Sequence, residues 1–114
     1  MSTDRMRRVN EAIREVLSDA MGHDLKDPRI GFVTVTDVKT SPDLRHARVF
    51  VTVLGGPEQR EASLAGLQSA HGVLQRRVAR ELRMKRTPTL QFQYDKTTDR
   101  AMHIEEILSS EDER

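Results

Sequence analysis

Hydrophobic residues recur along the chain with two different spacings, which predict both helical and extended segments. Near the N-terminus the spacing is three and four residues, the repeat of an α-helix with one buried side. It predicts a helix over residues 3–21 that starts at a polar cap within residues 2–4 and stops at Gly22. The apolar positions of this helix are Met6, Val9, Ile13, Val16, Leu17 and Ala20.

Two later stretches alternate with β-branched residues and predict β-strands. They cover residues 30–39 and 44–53, and the turn-forming residues 40–43 between them predict an antiparallel hairpin. Strict alternation places Val33 and Val35 on one face of the first strand, and Val49, Val51 and Val53 on one face of the second. It places Phe32 and Phe50 on the other face, where we expect a cross-strand aromatic pair.

Two helices are predicted next, separated by the small-residue break Ser69-Ala70-His71-Gly72. The first runs over about residues 58–70, with Leu64, Leu67 and Ala70 expected to face inward. The second has an apolar stripe and continues to Thr87-Pro88. That stripe consists of Leu74, Val78 and Leu82.

The end of the chain predicts one more strand and a short helix. Leu90, Phe92 and Tyr94 alternate with glutamines as a third strand. A short apolar helix (Met102, Ile104, Ile107 and Leu108) and an acidic tail over residues 109–114 follow. A connection through two helices makes the second and third strands parallel if they are neighbours. We therefore expect an α+β fold of order α-β-β-α-α-β, with a three-stranded mixed sheet and the helices on one face.

Positive charge is concentrated in the second paired helix. Residues 69–86 hold six basic residues and one acid, whereas the whole chain carries +1. A solvated helix face is the ordinary explanation for such a pattern. The excess of arginine and the tight backbone break just before it favour contact with phosphate instead. The basic residues are Arg76, Arg77, Arg80, Arg83, Lys85 and Arg86.

Two smaller basic clusters are further candidates for phosphate contact. Arg5, Arg7 and Arg8 stand at the start of the first helix, where their charge opposes the helix dipole. Arg45 and Arg48, with His46, belong to the second strand. For the break at residues 69–72 we expect two roles. Its small residues would let two helices cross closely, and its kink would set the angle at which the arginines are presented.

Composition narrows the class of protein. The chain has 114 residues, of which 36% are hydrophobic and 32% charged, which suits a single soluble domain, expected over residues 1–108. It has no cysteine, no secretory signal and no apolar run near the ~20 residues that span a bilayer, so we expect a cytoplasmic location and no membrane contact. The four histidines lack metal-ligand spacing, and no P-loop or G-x-S-x-G motif is present, so neither a metal nor a catalytic site is predicted.

The element order and the break resemble the type II KH fold, whose Gly-x-x-Gly loop here keeps only its second glycine. An Ala-x-Gly kink (Ala70-His71-Gly72) at this position is similar to that of the ribosome-binding factor A family. The resemblance extends over about residues 4–108. The phrases that carry it are RVNEAIREVLSDAM, LKDPRIGFVTVTDVKTSPDL, ARVFVTVLGG and RTPTLQFQYD.

The resemblance implies an assembly factor that binds free 30S ribosomal subunits. Such factors assist late maturation of 16S rRNA near its 5′-terminal helix, matter for growth in the cold and have no catalytic activity. The resemblance also implies a transient partnership with a maturation GTPase. We expect a monomer without a cofactor. Two alternatives stay open from the residues alone: a basic protein-interaction module with an acidic partner, and a small RNA-processing enzyme.

Overall fold

Three helices and three strands follow one another in the predicted order in the computed structural model, which describes residues 3–23 and 25–97. The predicted C-terminal helix and the acidic tail lie outside these residues. The order and type of the remaining elements are confirmed. Their bounds are α1 (Thr3–His23), β1 (Val33–Thr40), β2 (His46–Val53), α2 (Pro57–Ser69), α3 (His71–Leu82) and β3 (Thr89–Tyr94).

The three strands form one mixed sheet in the order β1-β2-β3. β1 pairs with β2 in antiparallel register, and β2 pairs with β3 in parallel register from His46↔Thr89 to Val51↔Tyr94. The antiparallel pair is joined by a turn in which the Ser41 hydroxyl donates to Asp43 at 2.6 Å and accepts from the His46 amide at 3.1 Å. The hydroxyl of Ser41 and the amide of Arg45 lower the pKa of Asp43, so this acceptor stays ionised.

A β-bulge interrupts the β1–β2 pairing between Val35 and Asp37. Because the extra residue reverses the alternation, Val35 and Val38 both point into the core although they are three positions apart. Strict alternation would have turned Lys39 inward. The bulge instead places Lys39 on the exposed face of the sheet, directly opposite Arg48.

The predicted Phe32–Phe50 pair is wrong. Phe32 lies just before β1, where its side chain is 77% exposed and its carbonyl accepts from the Leu54 amide at 3.0 Å. Phe50 faces Asp37 across the strands, because the bulge shifts the register by one residue. Its ring lies instead beside Lys39 and Arg48 on the exposed face.

The core lies between one face of the sheet and the three helices. α1 packs on β1 and α3, whereas α2 packs on β2 and β3. Arg60 of α2 stacks on the ring of Tyr94 of β3, with its guanidinium 3.7 Å from the ring centroid. The fully buried side chains that fill this core include Ile13, Leu17, Val38, Val49, Val51, Leu67, Leu74, Val78 and Leu90.

The buried side of α2 includes two residues that were not predicted. Leu67 is fully buried and the half-buried Leu64 packs against the core, as predicted, but Ser63 and Gly66 are buried as well, and Ala70 is only half-buried. The Ser63 hydroxyl accepts from the Gly31 amide at 3.1 Å and contacts the Arg29 carbonyl. The segment before β1 therefore lies directly against α2, and a small residue at position 66 leaves room for it.

Gly66→Ala tests that close approach. A Cβ at position 66 would lie 2.6 Å from Cγ1 of Ile30, so the segment before β1 would have to move. We expect a loss of about 1–2 kcal/mol in the free energy of unfolding, because overpacking outweighs the gain in helix propensity. Urea denaturation measures it. Gly72→Ala is the matched control: a Cβ there meets no atom within 4 Å, so stability should hold or rise by up to about 1 kcal/mol. Equal losses in both variants would contradict this account.

Candidate nucleic-acid interface

The helix break is built on a single residue, Ala70, which ends α2 and begins α3. Its amide donates to the Gly66 and Leu67 carbonyls at 3.0 and 3.1 Å. Its carbonyl accepts from the Leu74 amide at 3.2 Å. The break therefore lies at the predicted position, and the α3 N-terminus starts one residue after α2 ends. No side chain caps that N-terminus.

Gly72 lies in the first turn of α3 with open space beside its Cα. A Cβ built there meets nothing within 4 Å, so the expectation that this glycine allows a close helix crossing is wrong. Ser69 and His71 of the break are both exposed, and the His71 ring contacts the Gln68 carbonyl at 2.8 Å through Nδ1. The space over Gly72 leaves its backbone open to an external group.

Arg76 and Arg80 form the exposed side of α3. They lie opposite Leu74 and Val78, which are fully buried. In the part of the chain that the structure describes, neither arginine has an acidic side chain within 4.0 Å. This side of α3 is therefore an uncompensated positive stripe.

Arg77 has a different environment from its neighbour Arg76. Its side chain is only 14% exposed and lies between α3 and α1. The guanidinium donates to Glu81 at 2.7 Å through Nε and also pairs with Asp19 of α1. The charge of this predicted contact residue is thus neutralised within the fold, and we leave Arg77 out of the candidate interface.

Arg83, Lys85 and Arg86 lie beyond the end of α3. The helix stops at Leu82, short of the predicted end at Thr87-Pro88, because Arg83 adopts a left-handed conformation with φ 48°. Arg83 therefore does not continue the Arg76–Arg80 stripe by helical periodicity. All three are exposed, and none has an acidic partner within 4.0 Å among residues 3–23 and 25–97.

The side chain of Gln75 holds this basic segment against α3. Its amide nitrogen lies 3.5 Å from the Thr87 carbonyl, and its oxygen accepts from the Leu90 amide at 3.4 Å. The start of β3 is thereby fixed beside the first turns of α3. We call the five exposed basic residues on α3 and this segment the α3 patch: Arg76, Arg80, Arg83, Lys85 and Arg86.

The arginines at the start of α1 form a separate surface. Arg5, Arg7 and Arg8 are exposed, and this end of α1 is fixed to the end of β1 by the Thr40 amide, which donates to Asn10 at 3.0 Å. α1 meets α3 through Asp19, about 16 Å further along the helix axis than Arg8. The contact of α1 with α3 through Arg77 therefore lies well along the helix from this cluster.

The second-strand candidates lie at the turn and on the exposed sheet face. Arg45 is 3.9 Å from Asp43, and its carbonyl accepts from the Thr89 amide at 2.8 Å. Arg48 lies 5.8 Å from the centroid of the Phe50 ring. Lys39, which our sequence reasoning missed, lies 5.6 Å from the same centroid. Its position on the exposed sheet face depends on the strand register after the bulge.

Two other kinds of site are not found in the described ranges. No group of three or more histidine or acidic side chains within residues 3–23 and 25–97 could hold a metal ion. None of the helices there combines the length and the apolar character that crossing a membrane requires. The exposed basic side chains are therefore the candidate binding groups on the described surface.

The α-β-β-α-α-β order, the mixed sheet and the single-residue helix break define a small KH-like α+β domain. The chain belongs to the ribosome-binding factor A family, whose model matches residues 5–108. The Beutenbergia cavernae ribosome-binding factor A is 47% identical over 104 residues, which are 91% of this chain and 65% of that relative. The Chloroflexus aurantiacus protein of the same name is 44% identical over 109 residues, 95% of this chain and 86% of its own length.

Solved structures of the family share the fold. The crystal structure of ribosome-binding factor A from Thermus thermophilus superposes with a TM-score of 0.70 at 28% identity, covering 78% of this chain and 93% of that one. A Thermus thermophilus homology model fitted into a cryo-EM map of a 30S complex gives a TM-score of 0.64 at 29% identity. That match covers 76% of this chain and 91% of the Thermus chain.

Arg77→Ala should destabilise the protein, whereas Arg76→Ala should leave its stability nearly unchanged. Removing Arg77 leaves Asp19 and Glu81 without their partner and exposes apolar surface, so we expect a loss of about 1–2 kcal/mol in the free energy of unfolding. Removing Arg76 should change it by less than about 0.5 kcal/mol, since its side chain is exposed and has no acidic partner in the described chain. Thermal and urea unfolding measure both. Equal destabilisation by the two variants would refute the assigned environments.

Proposed function

We propose that this protein binds the free 30S ribosomal subunit by its rRNA and assists late maturation of 16S rRNA near the 5′-terminal helix. The observation that carries the proposal is the α3 patch, whose five basic side chains lack acidic partners in the described structure. Arginine offers a planar fork that fits phosphate oxygens, and lysine a point charge. Phosphate is the ligand that this chemistry fits best.

Family relationship supports the choice of partner. The relatives named above carry the name ribosome-binding factor A, and a Thermus thermophilus model was fitted into a map of a 30S complex. The open backbone at Gly72 stands next to the α3 patch, so an RNA strand could approach the helix N-terminus closely. Without a second glycine, the break favours recognition of RNA shape and phosphate over reading of the base sequence.

The proposed mode of action is differential binding. A factor that contacts one rRNA conformer more tightly raises the population of that conformer, and it leaves when the conformer is lost. The protein would act as a cytoplasmic monomer, a single domain over residues 1–108, without a catalytic centre or cofactor. A maturation GTPase would assist its release. The benefit should be greatest in the cold, where wrongly paired rRNA is slowest to rearrange.

Binding to 30S particles should depend steeply on salt. If the five cations of the α3 patch each neutralise one phosphate of a single-stranded segment, the log–log slope is about −3.5. Affinity then falls about 130-fold between 50 and 200 mM salt. Co-sedimentation with 30S, 50S and 70S particles across a salt series measures the slope and the preference. A flat response, or equal binding to all three particles, would overturn the proposal.

Arg76→Glu/Arg80→Glu locates the contact. We expect loss of binding to both 30S particles and naked 16S rRNA, since four units of charge change at the patch. Lys26→Glu/Lys96→Glu is the matched control, because both lysines are exposed and the charge change is equal. Retained RNA binding with loss of a protein partner would favour the protein-interaction alternative. Cleavage of precursor 16S rRNA by the purified protein would favour the processing enzyme.

A further inference from the structure

A second row of positive charge lies on the sheet face that the helices leave open. Lys39 of β1 is opposite Arg48 of β2, and Arg48 is opposite Gln91 of β3. All three side chains are exposed. They therefore form one line across the three strands, and we call this line the sheet row.

The two cations of the sheet row form no close ion pair within the described chain. Like charges directly opposite each other on neighbouring strands repel. Neither Lys39 nor Arg48 has an acidic side chain within 4.0 Å among the residues that the structure covers. Both lie over the Phe50 ring, at 5.6 and 5.8 Å from its centroid. An arrangement that keeps two cations together is suited to an anion held between them.

Two acids share this face but are already engaged. The Asp95 carboxylate accepts from the Thr36 hydroxyl at 2.7 Å and from the Thr97 amide at 2.9 Å, and it interacts with Lys39 at longer range. Asp37 accepts from the Val38 amide at 2.9 Å. Asp37 lies directly opposite Phe50, and Asp95 follows Tyr94 at the end of β3, so both acids are further from the β1–β2 turn than Lys39 and Arg48. The positive end of the face is therefore the end near the β1–β2 turn.

A groove of about 300 Å³ is found at that end of the sheet. Its lining offers an ammonium, a guanidinium, an imidazole and a side-chain amide, and no carboxylate. These donors suit phosphate oxygens, while the amide and hydroxyl groups along β3 can both donate to and accept from a ribose or a base edge. The lining residues are Lys39, Thr40, Ser41, His46, Arg48 and Gln91.

The sheet row and the Arg76–Arg80 stripe of α3 face away from each other. The buried side of α3, Leu74 and Val78, belongs to the core on the helical face of the sheet. Arg76 and Arg80 lie on the side of the helix opposite those residues. The sheet row lies on the sheet face that carries no helix. One RNA segment seated on α3 would therefore leave the sheet row free.

We propose that the sheet row binds the phosphates of a second RNA segment, so that one molecule bridges two segments of rRNA. This inference rests on the proposed function for its choice of RNA as the ligand. An acidic peptide would need only the cations. The neutral Gln91 and Thr89 beside them on β3 suit a polymer that carries hydroxyl groups and base edges as well as charge.

Two short single-stranded fragments of 16S rRNA, one with a donor dye and one with an acceptor dye, test the bridge. Each is too short to reach both faces. We expect the wild-type protein to bind two fragments and to produce energy transfer between them. Lys39→Gln/Arg48→Gln and Arg76→Gln/Arg80→Gln should each bind one fragment and produce no transfer. One fragment per wild-type molecule would overturn the proposal.

Affinity measurements separate this inference from the proposed function. Loss of two phosphate contacts should make the salt slope for 30S binding shallower by about 1.4 and weaken binding about 25-fold at 0.1 M salt. If Arg76→Gln/Arg80→Gln weakens binding and Lys39→Gln/Arg48→Gln does not, the sheet row is refuted and the proposed function stands. If neither variant, nor the wild type, distinguishes 30S particles from other RNA, the proposed function fails.

Three controls keep the result specific. Lys39→Arg/Arg48→Lys keeps the charge and should restore binding of the second fragment. Lys26→Gln/Lys96→Gln removes two exposed lysines that have no acidic partner in the described chain and should leave the stoichiometry at two. The unfolding midpoint of Lys39→Gln/Arg48→Gln should change little, since relief of repulsion offsets the lost ring contacts. Weaker 30S binding with unchanged binding of two naked fragments would assign the face to a ribosomal protein and overturn the proposal.

Discussion

The parallel pairing of β2 with β3 is the constraint on which the rest of this structure depends. Parallel neighbours cannot be joined by a tight turn, so the chain between Val53 and Thr89 has to cross over the sheet. The crossover contains α2, which covers β2 and β3, and α3, which packs on α1. A single straight helix cannot pack on β2 and β3 and also on α1, so the chain changes direction at Ala70. The break and the cations after it are thus placed by topology as well as by local sequence.

Neighbouring arginines on α3 show how the fold divides its charge. Arg77 faces α1 and pairs with Asp19 and Glu81, which stabilises the contact between the two helices. Arg76, one position earlier, lies about 100° around the helix and has no acidic partner in the described chain. Asp19 and Glu81 are therefore used in packing, while Arg76 remains available on the outer side of the helix. A stabilising contact and the proposed binding surface thus come from adjacent arginines.

Much of this architecture could be predicted from the sequence, because hydrophobic spacing and turn residues act locally. The bulge after Val35 could not, because it depends on the pairing of two strands, and it moved Lys39 to the open face. The strand register was also missed: Val33 pairs with Val53, so Phe32 and Phe50 are not opposite each other. The end of α3 was missed because Arg83, not a glycine, adopts the left-handed conformation. The pairing of Arg77 with Asp19 could not be predicted, because the two residues are 58 positions apart in the chain. The order of the elements could thus be predicted from the sequence, whereas contacts between residues far apart in the chain could not.

Two basic surfaces on opposite sides of one small domain would give the proposed assembly factor its means of discrimination. A single phosphate-binding surface finds similar backbone on every conformer of an rRNA, so its contribution cancels between conformers. A second surface adds binding free energy only when another rRNA segment lies at the right distance and orientation from the first. If the geometry does not allow both surfaces to bind at once, the gain from the second surface is lost. Two phosphates gained in one conformer alone shift its population about 25-fold at 0.1 M salt. Maturation that moves either segment removes this gain, so the same contacts that favour the immature arrangement weaken binding once it is gone.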